Sequence, residues 1–175
     1  MTKTIFIISS GEGKKYAQAL KNLLNNSFAS SEPRYSVEVW SDEGQFPLTH
    51  TTIESLEKKI LSLAENKGFI VAMMTPDDPV NIKDKSVYIP RDNVIFELGM
   101  AFGRLGRHRS IIIKPKISNF HMLTDIDGVT YGTYGYLTSE DTDGLTPNQA
   151  DNVINSALAD AVDTIFKYIS NFTFS

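Results

Sequence analysis

The chain has 175 residues, 41% of them hydrophobic, which fits one domain over residues 1–175 with a sizeable buried core. Its 17 lysines and arginines against 21 aspartates and glutamates give a formal net charge of −4, which argues against nucleic acid as a direct partner. The absence of cysteine excludes disulfide frameworks, thiolate metal sites and cysteine nucleophiles, and no apolar run approaches the ~20 residues of a membrane span.

The first half of the chain alternates strands and helices. Residues 4–8 and 68–74 are apolar on both faces, as in buried parallel strands, and residues 35–40 alternate apolar and polar. We predict one helix over 16–24 and a second over 53–64, the second opened by the capping box Thr51-x-x-Glu54. The residues that lead into the first strand lack the long apolar core and the cleavage site of a signal peptide, so we expect a soluble, cytoplasmic protein without a membrane partner.

The second half continues the alternation with one weak region. We predict an irregular polar loop over 79–90, a helix starting near Asp92 and a strand over 110–113. Residues 117–145 show no clear period and have room for an edge strand. A capping box over 146–149 opens a last helix whose apolar spacing runs to Ile169. This order predicts an α/β fold with a site beyond the carboxyl ends of the strands.

Motifs for the common α/β chemistries are incomplete. Residues 9–15 lie where a phosphate loop would be, but they lack the Walker spacing, and Tyr16 replaces the third glycine of a dinucleotide fingerprint. A plain tight turn and a loop that contacts a ligand through its backbone both stay open. The three histidines lack metal spacing, so we expect no metal. Asp77 and Asp78 could hold a hard cation, although a solvated turn is the favoured interpretation.

Glu97 is the one charge in a run, residues 94–103, that is otherwise apolar or glycine. Such a run predicts a helix buried all round, in which a carboxylate must be paired, hydrogen-bonded or facing a cavity. A buried ion pair with Arg91 or Arg104 and a functional role are both open on this evidence.

Two further features lie in or after this helix. Gly99 and Gly103 share one face and permit close approach of a backbone or a ligand. Cations near a helix C-terminus complement its dipole, but they also suit phosphate contact or an assembly surface. The basic residues in question are Arg104, Arg107, His108, Arg109, Lys114 and Lys116.

Two runs in this region form a distinctive motif: Arg91-Asp92-Asn93-Val94-Ile95-Phe96-Glu97-Leu98-Gly99 and Gly103-Arg104-Leu105-Gly106-Arg107. The motif resembles the hallmark of the bacterial TIR-like family, the TIR domains of cyclic-oligonucleotide anti-phage systems such as TIR–STING and the Pycsar TIR effectors. Weaker matches follow in the family's order over residues 4–131. They are Trp40, Phe46-Pro47, Thr52-Ile53-Glu54-x-Leu56, Thr75-Pro76-Asp77-Asp78 and Thr124-Asp125-Ile126-x-Gly128.

The resemblance implies a TIR (flavodoxin-like) fold with a mostly parallel five-stranded sheet and helices on both faces. It also implies cleavage of NAD⁺ at the nicotinamide–ribose bond, giving ADP-ribose or a cyclised product, with NAD⁺ as substrate and no cofactor. Glu97 takes the position of the family's catalytic glutamate. The implied substrate-binding residues are Phe6, Ser9, Ser10, Gly11 and Asp125, although Ser9-Ser10-Gly11 departs from the commoner His-Gly type of loop.

Two other functions and several partners stay open. The alternatives are a non-catalytic TIR scaffold and an N-glycosidase that acts on nucleosides or nucleotides. The resemblance implies self-association through TIR–TIR contacts, for which we consider the loop over 41–48 and the basic run. It also implies a cyclic-nucleotide sensor of the STING or SAVED type, in the same chain or a separate one, with this domain as the effector part.

Overall fold

A five-stranded parallel sheet organises the computed structural model, which describes residues 2–45, 52–123, 126 and 128–174. Its strands follow the spatial order β2-β1-β3-β6-β7, which confirms the predicted α/β class and parallel sheet. In chain order the elements are β1 (Lys3–Ser9), α1 (Lys14–Ser27), β2 (Tyr35–Val39), α2 (Thr52–Glu65), β3 (Phe69–Met73), β4 (Asp78–Ile82), β5 (Lys85–Ile89), α3 (Asp92–Leu105), β6 (Ser110–Pro115), β7 (Thr130–Tyr134), α4 (Pro147–Ala157) and α5 (Ala159–Ser170).

Both faces of the sheet are covered by helices, which is why its strands are apolar on both sides. Ile5 and Ile7 of β1 point to the face covered by α1, α4 and α5. Phe6 and Ile8 point to the opposite face, which α2 and α3 cover. In the described part of the chain no helix has the length and apolar character to cross a bilayer.

The segment predicted as an irregular loop over 79–90 is instead a β-hairpin, so that prediction is wrong. Strands β4 and β5 pair antiparallel around Lys83 and Asp84, whose φ angles are 49° and 63°. Positive φ at both central residues is the geometry of a two-residue hairpin turn. The sequence conceals it because Lys-Asp lacks the usual glycine or asparagine and because the hairpin lies outside the main sheet.

The predicted last helix is two helices, α4 and α5, which meet at Leu158. The predicted capping box of α4 is present, and in it the Thr146 backbone N–H donates to Gln149 Oε1 at 2.9 Å. The break arises because the Gly135 N–H, just after β7, donates to the Ala157 carbonyl at 2.9 Å. That carbonyl would otherwise accept the next helical hydrogen bond. The apolar spacing continues across the break because only one residue separates the helices.

Two predictions about the helices on the second face need correction. Ile53, predicted to lie in the buried stripe of α2, has 53% of its surface exposed, and Thr51 of the predicted capping box lies outside the described residues. Helix α3 is not buried all round, because Phe96 is 56% exposed. A helix that lies on a sheet with no further layer above it buries only its inner stripe, formed here by Val94, Leu98, Ala101 and Leu105.

Candidate functional site

The loop after β1 lies at the carboxyl end of the sheet and is held by its own serines. Ser9 and Ser10 are each only 6% exposed. Trp40 Nε1 donates to Ser9 Oγ at 2.8 Å, and the Gly13 backbone N–H donates to Ser10 Oγ at 3.1 Å. The two serine hydroxyls therefore fix the loop, which supports the interpretation of a tight turn.

Glycine has different uses at the two positions of this loop. A Cβ on Gly13 would lie 3.1 Å from the Ser9 Cβ and 3.3 Å from Thr75 Cγ2, so the start of α1 packs closely against the strand ends. Gly11 is exposed, and a Cβ there would meet nothing within 4 Å. Of the predicted binding residues in this loop, Gly11 is thus the one most open to a ligand.

A carboxylate next to this loop connects it to α3. Asp77 Oδ1 accepts a hydrogen bond from Ser10 Oγ, and Asp77 Oδ2 accepts one from the Arg91 backbone N–H, each at 3.1 Å. Burial raises the pKa of the Asp77 carboxyl, while hydrogen bonds from Thr75, Arg91 and Ser10 act in the opposite direction. Asp77 is therefore a partly buried structural acceptor rather than the solvated turn residue predicted.

The side chain of Arg91 reinforces the same connection from the exposed side. Its Nη2 lies 2.9 Å from Glu12 Oε1, and its Nε lies 3.3 Å from Asp78 Oδ2. Asp78 therefore faces an arginine. In the described ranges, no three acidic or histidine side chains are grouped so that they could hold a metal ion.

Glu97 lies on α3 with its side chain partly buried. Burial raises the pKa of its carboxyl to about 7. No ion pair or hydrogen bond reaches that carboxyl from the described residues, because Arg91 pairs elsewhere and Arg104 forms no ion pair among them. The alternative of an ion pair with Arg91 or Arg104 is therefore not found among the described residues. A half-buried carboxyl that changes charge near neutral pH is a candidate for chemistry.

A large apolar cavity lies beside α3, but not on the Glu97 side. Its volume is about 500 Å³, and Ile95 of α3 contributes to its wall. Ile95 and Glu97 are two residues apart, which places them about 200° apart around the helix axis. The cavity is thus separate from the Glu97 site. Its lining comprises Ile89, Pro90, Asp92, Ile95, His121, Met122, Leu123 and Ile126.

Two other predicted site residues have different outcomes. Phe6 is fully buried and packs in the core beneath α2 and α3, with Val94 and Leu98 in the same cluster. Its contact with a substrate stays a prediction, and its evident role is packing. Asp125 lies outside the described residues.

A charged pair above Phe6 was not anticipated from the sequence. Lys59 Nζ of α2 lies 2.5 Å from Glu38 Oε2 of β2, and Gln45 Nε2 donates to the same oxygen at 2.7 Å. Lys59 Nζ also lies 5.1 Å from the centre of the Phe6 ring. No signal in the sequence indicated this pair, because Glu38 alternates with the buried Val37 and Val39 and so falls on the polar side of the predicted strand. The Asp77–Arg91 connection had no signal, because its members are far apart in sequence and form no chemical motif.

Comparison with known proteins gives consistent results. The sequence model of the TIR domain of CAP12/Pycsar effector proteins matches residues 4–135. The Pycsar effector protein PaPycTIR of Pseudomonas aeruginosa is 35% identical over 137 residues, which are 78% of this chain and 41% of that protein. CD-NTase-associated protein 12 of Flavobacterium daejeonense is 35% identical over 130 residues, 74% of this chain and 37% of that protein. The chain therefore spans less than half the length of these relatives.

Proposed function

We propose that this chain, which belongs to the TIR-domain family of CAP12 and Pycsar effector proteins, cleaves NAD⁺ between nicotinamide and ribose as an effector of anti-phage defence. The observation that carries the proposal is Glu97. It lies in the motif Phe96-Glu97-Leu98-Gly99, its carboxyl is half-buried without a partner among the described residues, and its pKa is raised to about 7.

One carboxylate suffices for this chemistry because of the leaving group. The nicotinamide of NAD⁺ carries a positive charge and departs as a neutral molecule, so no general acid has to protonate it. Hydrolysis of an ordinary O-glycoside uses two carboxyl groups, one of which protonates the leaving oxygen. The ionised Glu97 carboxylate would stabilise the cationic ribosyl group that develops as the bond breaks, in a site partly shielded from water.

The fate of the ribosyl cation then determines the product. Attack by water gives ADP-ribose, and attack by an adenine nitrogen of the same molecule gives a cyclised product. In both cases the electrons of the broken C–N bond stay on nicotinamide. The product mixture distinguishes the two outcomes, and both depend on the same first step at Glu97.

The direct test measures nicotinamide release from NAD⁺ by the wild type and by Glu97→Gln. The substitution keeps the size of the side chain and removes its charge. Glu65→Gln is the matched control, since Glu65 is an exposed glutamate in the last turn of α2. We expect release by the wild type and by the control, and none by Glu97→Gln.

The alternatives have distinct outcomes in the same assay. A non-catalytic scaffold would release no nicotinamide even at high protein concentration with crowding agents. An N-glycosidase for nucleosides or nucleotides would cleave those compounds in preference to NAD⁺, and would still depend on Glu97.

We include self-association in the proposal, because α3 exposes an apolar surface. Phe96 is 56% exposed, and a Cβ on Gly99 or Gly103 would meet nothing within 4 Å. These residues lie three and seven positions apart and share one outward face. A second copy seated there would bury the helix on all sides, as its composition suggests. The loop over 41–48 and the basic run stay candidates for further contacts, although residues 46–48 lie outside the described ranges.

Activation by a cyclic-nucleotide sensor of the STING or SAVED type, in the same chain or a separate one, completes the proposal. The name CD-NTase-associated protein 12 connects such relatives with nucleotidyltransferase signalling. We also propose that the domain acts in the cytoplasm, where NAD⁺ is abundant. Adding the activating nucleotide to the whole protein should raise the rate of nicotinamide release.

A further inference from the structure

We propose that Asp77 is a positioning residue, which holds the loop after β1 and the start of α3 in a fixed relation. This inference rests on the proposed function, since it concerns the placement of Glu97 relative to the loop that would contact NAD⁺. Asp77 itself is not expected to touch the reacting atoms.

The two oxygens of Asp77 serve two different elements. Oδ1 accepts from the hydroxyl of Ser10 in the loop, and Oδ2 accepts from the backbone N–H of Arg91. Arg91 immediately precedes α3, and the helix has no side-chain cap of its own at that residue. The backbone N–H of Arg91 therefore finds its acceptor in Asp77 rather than within the helix. The same carboxylate is also hydrogen-bonded to Ser10 in the loop.

The loop side of this connection continues through Ser10. The Gly13 backbone N–H donates to Ser10 Oγ at 3.1 Å, and the Ser10 and Thr75 hydroxyls lie 2.8 Å apart. Since Ser10 is 6% exposed, water does not readily replace these bonds. A change in Asp77 is thus transmitted to Gly13, where α1 begins.

The helix side leads directly to the candidate catalytic residue. Glu97 is five residues from Asp92, about 7.5 Å along the helix axis. Shifting or rotating the first turn of α3 therefore moves the Glu97 carboxyl relative to the loop. A displacement of about 1 Å between catalytic groups and a substrate can lower a rate by about 10²-fold.

The backbone of Asp77 is anchored separately from its side chain. Its N–H donates to the Ile89 carbonyl at 3.1 Å, which keeps the β4–β5 hairpin in place. Removal of the carboxylate should therefore release the loop and α3 without unfolding the hairpin. This separation makes a positioning role testable.

The kinetic test compares three variants in the nicotinamide assay. Asp77→Ala removes both acceptors, and we expect kcat to fall by about 10- to 100-fold while KM changes less. Asp77→Asn keeps both bonds, because its amide oxygen can accept from Arg91 while its NH₂ donates to Ser10 Oγ. We expect Asp77→Asn to retain kcat within about threefold and to keep the pH profile of the wild type.

Asp78→Ala is the matched control, because Asp78 contacts the side chain of Arg91 and not the backbone N–H that Asp77 holds. It should lower kcat much less than Asp77→Ala does, because a partly exposed ion pair contributes little. Equal losses in Asp77→Asn and Asp77→Ala would overturn the proposal, because charge rather than position would then be responsible. Equal effects of Asp77→Ala and Asp78→Ala would also overturn it.

A second measurement does not depend on activity. Amide hydrogen exchange should show that Asp77→Ala speeds exchange at Gly13 and that Ser10→Ala speeds exchange at Arg91, each by about fivefold or more. Effects confined to the directly bonded amide would contradict the proposal. If this cross-effect is present but no nicotinamide is released by the wild type, the proposed function fails while the structural connection stands.

Discussion

Replacing Glu97 by glutamine should stabilise the fold while it abolishes the proposed activity. Burial raises the pKa of the carboxyl from the usual 4.5 to about 7, so the folded state binds the proton more tightly than the unfolded state does. Between these two pH values the wild type loses stability as pH rises, because folding then requires an ionised carboxylate to be partly buried. Above about pH 7 the fold bears the full free-energy cost of burying the ionised carboxylate, and below about pH 4.5 this cost vanishes.

The size of the stability difference follows from the pKa of Glu97 in the unfolded and in the folded state. At about 1.4 kcal/mol per pKa unit, the full shift corresponds to roughly 3–4 kcal/mol. Glu97 is only partly buried, and solvent screening reduces this to about 1–2 kcal/mol. The neutral amide of glutamine avoids that cost, so Glu97→Gln should be more stable than the wild type by about 1–2 kcal/mol at pH 8. At pH 4 the two proteins should have nearly equal stability.

The assay is urea denaturation of the wild type, Glu97→Gln and Glu65→Gln at several pH values from 4 to 8.5. The control should follow the wild type, because Glu65 is exposed. A glutamine variant that is less stable than the wild type at pH 8 would contradict this prediction, since it would show that the carboxylate has a favourable partner. A gain independent of pH would refute it as well.

Three further predictions concern the same site. The rate of NAD⁺ cleavage should rise with pH and level off above about pH 7, because only the ionised Glu97 can stabilise a cation, and a rate that falls over this range would contradict this role. Trp40→Phe should lower the free energy of unfolding by about 1 kcal/mol in a urea titration, because the buried Ser9 Oγ loses the indole N–H that donates to it; an unchanged value would show that the bond is not formed in solution. Phe96→Ser should change stability by less than about 0.5 kcal/mol yet reduce self-association in light scattering, since Phe96 is exposed, and unchanged association would exclude this face.

The central strands β1 and β3 were predictable because each contains an unbroken run of apolar residues. Residues 4–8 and 68–74 are apolar on both faces, which requires helices on both sides of a parallel sheet. The β4–β5 hairpin was not predictable, because its residues alternate weakly and its turn, Lys83-Asp84, carries no turn signature. The break at Leu158 depends on a hydrogen bond from Gly135, a distant residue that local periodicity cannot reveal.

Only part of the candidate site was predictable from the sequence. Glu97 stood out because a single charge in an apolar helix is costly unless it is used. The apolar composition of α3 wrongly predicted that its outer face is buried. Composition does not show whether another layer covers a helix. The roles of Ser10, Asp77 and Arg91 emerged only from the structure. Their connection depends on three loops, distant in sequence, that meet at the carboxyl end of the sheet.

The role of Glu97 is tested by the amount of nicotinamide that the wild type and Glu97→Gln release from NAD⁺, measured across a range of protein concentrations. We predict release by the wild type at a rate per molecule that increases with concentration, and no release by the variant. Equal release by the two proteins would contradict the role of Glu97. A rate per molecule that is high and independent of concentration would contradict the requirement for self-association.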